Sequence, residues 1–302
     1  MDRKMFLQKL NEQKISYLFI ALPFTIFFIF QLAPVAISFV WSFTEYNVIT
    51  SPKFIGFDNY EQLLFHDPLF WKALLNTVIY VVGVVPIGVI ISLFLAVAID
   101  QKIKFKNFFK SIFFLPTVTA IVAVSVIWKW LYAGEKYGLL NFFLIKLGFQ
   151  PVDWLTSPSW ILPSIMIMSI WAGIGYSMIL FLAGLQTIPH AMYEAAEIDG
   201  AGFWYRFGHI TLPLLRPTIV FVSIMSFVFS FQVFEQVYII TGGQAGIGGV
   251  LNSALTIVAY LYEKGFMKFQ MGYASAIAYV IFAIVFVVTI LNKRFMRSNF
   301  DY

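Results

Sequence analysis

The sequence predicts an all-α integral membrane protein with six transmembrane helices and both termini on the cytoplasmic side. Three observations lead there. Of 302 residues, 60% are hydrophobic and only 12% are charged, well outside the range of soluble domains. The apolar residues form six blocks, 16–43, 74–99, 108–132, 160–187, 217–241 and 271–292, each able to supply the roughly 20 helical residues that cross a hydrocarbon core. The basic residues sort by connecting segment. Arg3, Lys4, Lys9 and Lys14, then Lys102, Lys104, Lys106 and Lys110, then Arg206 and Arg216, then Lys293, Arg294 and Arg297 fall on one side. Only Lys53, Lys72, Lys136, Lys146, Lys264 and Lys268 fall on the other, with Lys129 near the outer end of the third block. Inner loops carry the excess of Lys and Arg, which sets the orientation.

That sorting also accounts for the net charge of +5 without a nucleic-acid partner, because no basic patch interleaved with aromatics is present. The chain has no cysteine, which excludes disulfides and thiolate metal sites. Its histidines, His66, His190 and His209, lie in separate connecting segments. No metal cluster and no catalytic constellation are expected.

The first block follows a basic start, as a signal peptide would, but is too long for one and lacks a small-residue cleavage site. It is expected to stay attached as a first span, bent by Pro23 and Pro34, which remove backbone donors. The outer loop after it mixes aromatic and acidic residues. It reads either as an interfacial Trp and Tyr belt or as a docking surface for an external protein. A short basic loop, "DQKIKFKNFFK", joins the second and third spans, which makes them antiparallel neighbours. The outer segment from Ala133 to Ser159 carries Gly, Pro and Asp turn signals around a short amphipathic piece expected to lie along the surface. The last outer loop, "GGQAGIGGV", is rich in glycine.

The inner segment from Met192 to Pro217 is the polar anomaly in this chain. Thr187 and Pro189 suit a helix start, Thr as a cap and Pro in a first turn. Asp199-Gly200 and Gly202 stop the helix. At 100° per residue, His190, Glu194 and Glu197 share one stripe and Ala191, Ala195 and Ile198 another. Charge pattern alone is also met by a loop helix whose acids simply face water.

The order of residues adds information. Glu194, Ala195, Ala196, Asp199, Gly200, Ala201, Phe207, Ile210, Leu212 and Pro213 spell E-A-A-x-x-D-G-A, five residues, F, two residues, I-x-L-P. This resembles the EAA motif of the membrane subunits of binding-protein-dependent ABC importers. "NTVIY" at Asn76, "FFLPTV" around Pro116, "GLLNFFLIKLG" from Gly138, the run from Trp171 to Pro189 and "MGYASAIAYVIF" from Met271 resemble the carbohydrate branch. The likeness is strong from Asn76 to the C-terminus and looser over the first span.

The resemblance implies a type I ABC importer permease fold. Glu194, Ala195, Ala196, Glu197, Asp199, Gly200, Ala201 and Gly202 would form a cytoplasmic coupling helix seated in a groove of a separate ATPase, and Phe207 to Pro213 would return the chain to the membrane. No G-x-x-x-x-G-K-[ST] phosphate cradle occurs in the chain. The resemblance therefore implies no cofactor in this chain, with ATP and Mg bound by the partner ATPase.

Ser223, Ser226 and Ser230 form one hydroxyl stripe in the fifth block, and Gln232, Glu235 and Gln236 a second polar face nearer the outside. Spacing alone leaves helix packing open for the serines. Resemblance to maltose-type subunits, where this stretch lines the sugar site, implies substrate contact for Ser226 and Ser230. Glu235 is the one acid placed within a span. A charge at mid-membrane costs about 2.5–3.5 kcal/mol, so Glu235 is expected to line a gate, snorkel or bind substrate. In the fourth block Trp171, Gly173 and Tyr176 combine aromatic faces with backbone room, which suits a pyranose or plain packing. Where the family has G-G-P, this chain has Gly242-Gly243-Gln244.

The resulting expectation is a permease subunit that imports a sugar or oligosaccharide. It would pair with a homologous second permease, two cytoplasmic ATPase subunits and an extracytoplasmic solute-binding protein, within the lipid of a bacterial or archaeal plasma membrane. Residues 1–73 would hold the first span and outer loop, 74–292 the permease core with the motif loop at 189–213, and 293–302 a cytoplasmic tail. Import of a non-sugar solute such as glycerol phosphate is the alternative. An autonomous secondary transporter would show internal symmetry and a midplane ion site. An intramembrane enzyme would need convergent reactive groups.

Overall fold

A computed structural model describes residues 14–101, 104–134, 137–243 and 246–297. Arg3, Lys4, Lys9, Lys102, Lys136, Gln244 and the tail from 298 lie outside the described residues. Among the described residues, five helices are long and apolar enough to cross a membrane, and a sharply bent pair supplies a sixth span. The six-span expectation is met in that form.

The described chain divides into two units. One runs to His66 and includes Lys264–Tyr279; the other comprises Asp67–Glu263 and the residues from Val280.

In the first unit, α1 (Lys14–Phe27) continues through a π turn (Phe28–Leu32) into α2 (Ala33–Trp41). Pro34 cannot donate to the carbonyl four residues back. The chain responds by widening the turn, with Ala33 N bonding Phe28 O, and runs on as one helix. No residue of α2 is buried within the chain. The outer loop is more ordered than a simple belt. Strands β1 (Thr44–Glu45) and β2 (Lys53–Phe54) pair antiparallel, Thr44 opposite Phe54, and lead to α3 (Asp58–Phe65). Asn59 Nδ2 donates to the carbonyls of Ser42 and Thr44, each at 3.0 Å. Gly272 approaches so closely that a Cβ there would lie 1.9 Å from Thr44 O.

The second unit holds α4 (Pro68–Asp100), α5 (Lys106–Val118), α6 (Ile121–Leu131), α7 (Leu139–Lys146), α8 (Ile161–Leu185), α9 (His190–Ile198), α10 (Phe203–Arg206), α11 (Leu212–Phe231), α12 (Glu235–Ile240) and α13 (Ile257–Tyr262). Helix α14 (Met271–Arg297) begins in the first unit and ends in the second. Helices α4, α8 and α11 meet over Ala96, Met178, Phe181 and Leu215, all fully buried. In lipid the contact is held by small residues and hydrogen bonds rather than by exclusion of water. Gly184 of α8 faces Thr218 and Leu215. Ser92 Oγ donates to Ile174 O and Thr117 Oγ1 to Ala172 O, both at 3.1 Å.

Two spans depart from the sequence expectation. The third, expected as one rod over 108–132, is α5 and α6, bent by 98°. Thr119 and Ala120 adopt extended ψ values of 135° and 126°. Pro116 has already removed a backbone donor, and Thr119 Oγ1 satisfies Leu115 O at 2.9 Å. The fifth, expected over 217–241, starts earlier and stops sooner. It is one helical stretch, Phe203–Phe231, with a π turn at Phe207–Thr211; residues 232–234 break before α12. Pro213 and Pro217 both sit inside it, each removing one backbone donor.

The outer end is tied to α4 by side chains that capture backbone. Asp67 caps α4 by accepting from Leu69 N and Phe70 N at 3.0 and 3.2 Å and also accepts from the Tyr260 hydroxyl. Asn76 Nδ2 donates to Asn252 O and Leu255 O, each at 3.0 Å. The short amphipathic piece expected in the 133–159 segment is α7, where buried Asn141 holds Val152 and Trp154.

Candidate functional site

A cavity of about 420 Å³ lies among α4, α8 and α11. Helical spacing builds each wall. Tyr80, Val84 and Gly88 recur every four residues on α4, with Ser92 one further turn along. On α8, Ser169, Gly173 and Tyr176 share one face with Ile170 and Ser177 beside them. Ser226, Phe229 and Ser230 of α11 close the third side, and Val233 and Gln236 lie past the end of that helix. Eight lining residues carry a hydroxyl or amide, and none carries a formal charge. The Ser169 hydroxyl is shielded from solvent and lacks a hydrogen-bond partner among the described residues, although the Tyr80 hydroxyl lies near it. Such a mix of stacking faces, hydroxyls and backbone room binds polar, uncharged ligands.

Of the residues singled out from sequence, Gly173, Tyr176, Ser226 and Ser230 line this cavity together. Trp171 does not: it points off the cavity face, is 45% exposed and packs on Trp128 with ring centroids 5.6 Å apart. Ser223 is half-buried outside the wall. Gln232 is the exposed residue that ends α11. Glu235 is exposed in the first turn of α12, where the helix dipole favours an acid. The expectation of Glu235 within the fifth span is corrected: the spanning helix α11 ends at Phe231, so Glu235 falls in the separate short helix that follows it. Tyr80, Ser92, Ser169 and Ser177 were not singled out. The only signal in the sequence is a few isolated hydroxyls in two otherwise apolar helices, Tyr80 and Ser92 on α4 and Ser169 and Ser177 on α8.

The motif segment forms a second, separate feature. Helix α9 covers His190–Ile198 and buries no residue. Its start differs from expectation. Pro189 occupies the N-cap without a side-chain bond, and Thr187 Oγ1 instead donates to Gly184 O at 2.7 Å, finishing α8. Its end is a Schellman closure. Gly200 takes φ +77°, a conformation that favours glycine. Gly200 N bonds Glu197 O at 3.0 Å and Ala201 N bonds Ala196 O at 2.8 Å. Gly202, at φ −70°, opens α10.

The inner side of α9 is anchored through two side chains. Tyr193 Oη and Thr211 Oγ1 lie 3.0 Å apart, and Glu197 pairs with Arg206. Glu197 is thereby committed within the chain. Glu194 is exposed with no hydrogen bond or ion pair among the described residues, and shares the outer face with Ala191, Met192, Ala195 and Ile198, the last 87% exposed. Asp199 is exposed; Ala196 and Ala201 are half-buried. Phe207 packs inward, stacked on Phe94 at 5.7 Å, while Pro213 is exposed within α11. This exposed face is thus mostly small and apolar side chains with one carboxylate, Glu194.

Residues 65–299 match the family of binding-protein-dependent transport system inner membrane components. The chain is 37% identical to a probable ABC transporter permease protein, YesP, of Bacillus subtilis, over 91% of this chain and 88% of that one. It is 38% identical to the lactose transport system permease protein LacF of Rhizobium radiobacter over 94% of both chains. It is 33% identical to the trehalose/maltose transport system permease protein MalF of Thermococcus litoralis over 97% of both. Its fold matches that of a chain in the crystal structure of a bacterial ABC transporter involved in alginate import, with a TM-score of 0.85 at 24% identity, covering 98% of this chain and 100% of that one. With the whole permease core inside the matched region, the chain belongs to the family of inner membrane components of binding-protein-dependent transport systems.

Proposed function

We propose that the chain is one membrane-spanning permease subunit of an ATP-driven ABC importer for a sugar or oligosaccharide. The observation that carries this is the uncharged cavity lined by hydroxyls and aromatics, walled by the same α11 that runs down to the motif segment. Relatives named for lactose and for trehalose and maltose transport support the substrate class. A phosphate-bearing solute fits less well, because no Lys, Arg or His lines the cavity among the described residues to offset its charge.

In this reading a homologous second permease completes the pathway, an extracytoplasmic binding protein delivers the solute, and two cytoplasmic ATPase subunits supply the work. Both termini and α9 face the cytoplasm, where Glu194, Ala195 and the neighbouring motif residues seat in the ATPase. ATP and Mg belong to that partner, since this chain has no phosphate cradle. Closure of the ATPase dimer moves α9, and the spans change which side of the membrane the cavity opens to.

The test is uptake by the complete transporter in vesicles, with its binding protein and ATP, against a panel of neutral oligosaccharides and glycerol phosphate. Uptake of a neutral sugar, with no ATP binding by the isolated chain, is the expected outcome. Transport of glycerol phosphate alone, or pumping by the lone chain, refutes the reading.

A further inference from the structure

The path from α9 to the cavity passes through one unusual turn. Between α10 and α11 the backbone widens to a π turn, with Leu212 N reaching back to Phe207 O. Pro213 and Pro217 lie just beyond it, so the carbonyls four residues before each have no α-helical donor. Such a joint has two arrangements available. Converting the π turn to an α turn shifts register by one residue, which rotates the flanking segment by about 100° and slides it by about 1.5 Å.

Thr211, the last residue of that turn, is 5% exposed. Its hydroxyl lies 3.0 Å from the Tyr193 hydroxyl of α9 and 3.5 Å from Arg206 O, the carbonyl at the head of the turn. A single side chain therefore touches both the motif helix and the backbone of the joint. Tyr193 is half-buried and packs against the α4, α8 and α11 core with Phe207 and Ile210 around it. The outer face of α9, by contrast, is open.

We propose that Tyr193 and Thr211 are positioning residues that link α9 to the π turn, so that displacement of α9 resets the turn and moves α11 with Ser226 and Ser230. This rests on the coupling role proposed above for α9. The Glu197–Arg206 pair holds the base of the same joint, but it is exposed on the Glu197 side and screened, so it is the lesser constraint.

The test uses the complete transporter in vesicles and scores solute moved per ATP hydrolysed. Tyr193→Phe keeps the ring and removes the hydroxyl. Solute per ATP should fall about fivefold to tenfold, the scale of one lost hydrogen bond, while ATP hydrolysis per assembled complex changes by less than about twofold. Thr211→Val should do the same, Thr211→Ser should keep the wild-type ratio, and the double variant should be no worse than either single change. A wild-type ratio in Tyr193→Phe overturns the proposal. Additive losses in the double variant, or uptake and hydrolysis falling together, overturn it too, because both mark an ordinary packing role. Glu194→Lys measured alongside separates the two readings. If it leaves uptake and hydrolysis intact, α9 is not the docking piece; if it uncouples them while Tyr193→Phe does not, only the link fails.

Discussion

Gly175 is where the structure leaves least room, and Gly175→Ala tests whether the bent third span is seated as described. A Cβ at Gly175 would lie 2.1 Å from Phe113 O and 2.9 Å from Phe114 Cα, both backbone atoms, where ordinary contact begins at 3.4 Å. Helices α5 and α8 must then part by about 1.3 Å, the shortfall between those two distances. Backbone cannot swing aside as a side chain does. The separation also strains the 3.1 Å bond from Thr117 to Ala172. Overpacking of this kind costs about 1–3 kcal/mol, which corresponds to a fall in unfolding temperature of roughly 2–12 °C for a chain of this size class. Gly173→Ala is the matched control. Two residues along the same helix, its Cβ would meet nothing within 4 Å, and alanine gains up to about 1 kcal/mol of helix propensity over glycine. Thermal unfolding of the assembled transporter in nanodiscs reads both. An unfolding temperature for Gly175→Ala equal to wild type, or a larger fall for Gly173→Ala, would refute the α5–α8 contact.

Two further variants separate surface from cavity. Glu194→Lys should leave membrane insertion intact and stability within about 0.5 kcal/mol of wild type, as expected for an exposed residue without partners among the described residues, yet lower solute-stimulated ATP hydrolysis to its unstimulated rate; retained stimulation removes Glu194 from the docking face. Ser230→Phe should block uptake without preventing assembly, because the larger ring projects into the cavity; wild-type uptake kinetics take Ser230 off the pathway.

Much of this was written in local pattern. Six apolar blocks and the sorting of lysines and arginines specify a six-span bundle, because a bilayer imposes one dominant rule on length and charge. The α9 stop was equally local: a Schellman closure needs little more than Gly200 in the right place. The hydroxyl stripe on α11 was legible at helical spacing, and Ser226 and Ser230 do line the cavity.

Other features waited on neighbours. Trp171 and Tyr176 read alike in sequence, but only their rotation on α8 assigns one to the cavity and the other to Trp128. Glu235 reads as part of the fifth apolar block, but α11 ends at Phe231 and Glu235 opens the next short helix. The third span turns by 98°, and its first half, α5, lies against Gly175 of α8, a contact between residues about sixty apart in sequence. The chain alone thus specifies which segments enter the membrane, since that outcome depends on each segment's own backbone and solvent. Which faces meet, where helices break and what encloses a cavity depend on packing between distant segments, and no local pattern carries that information.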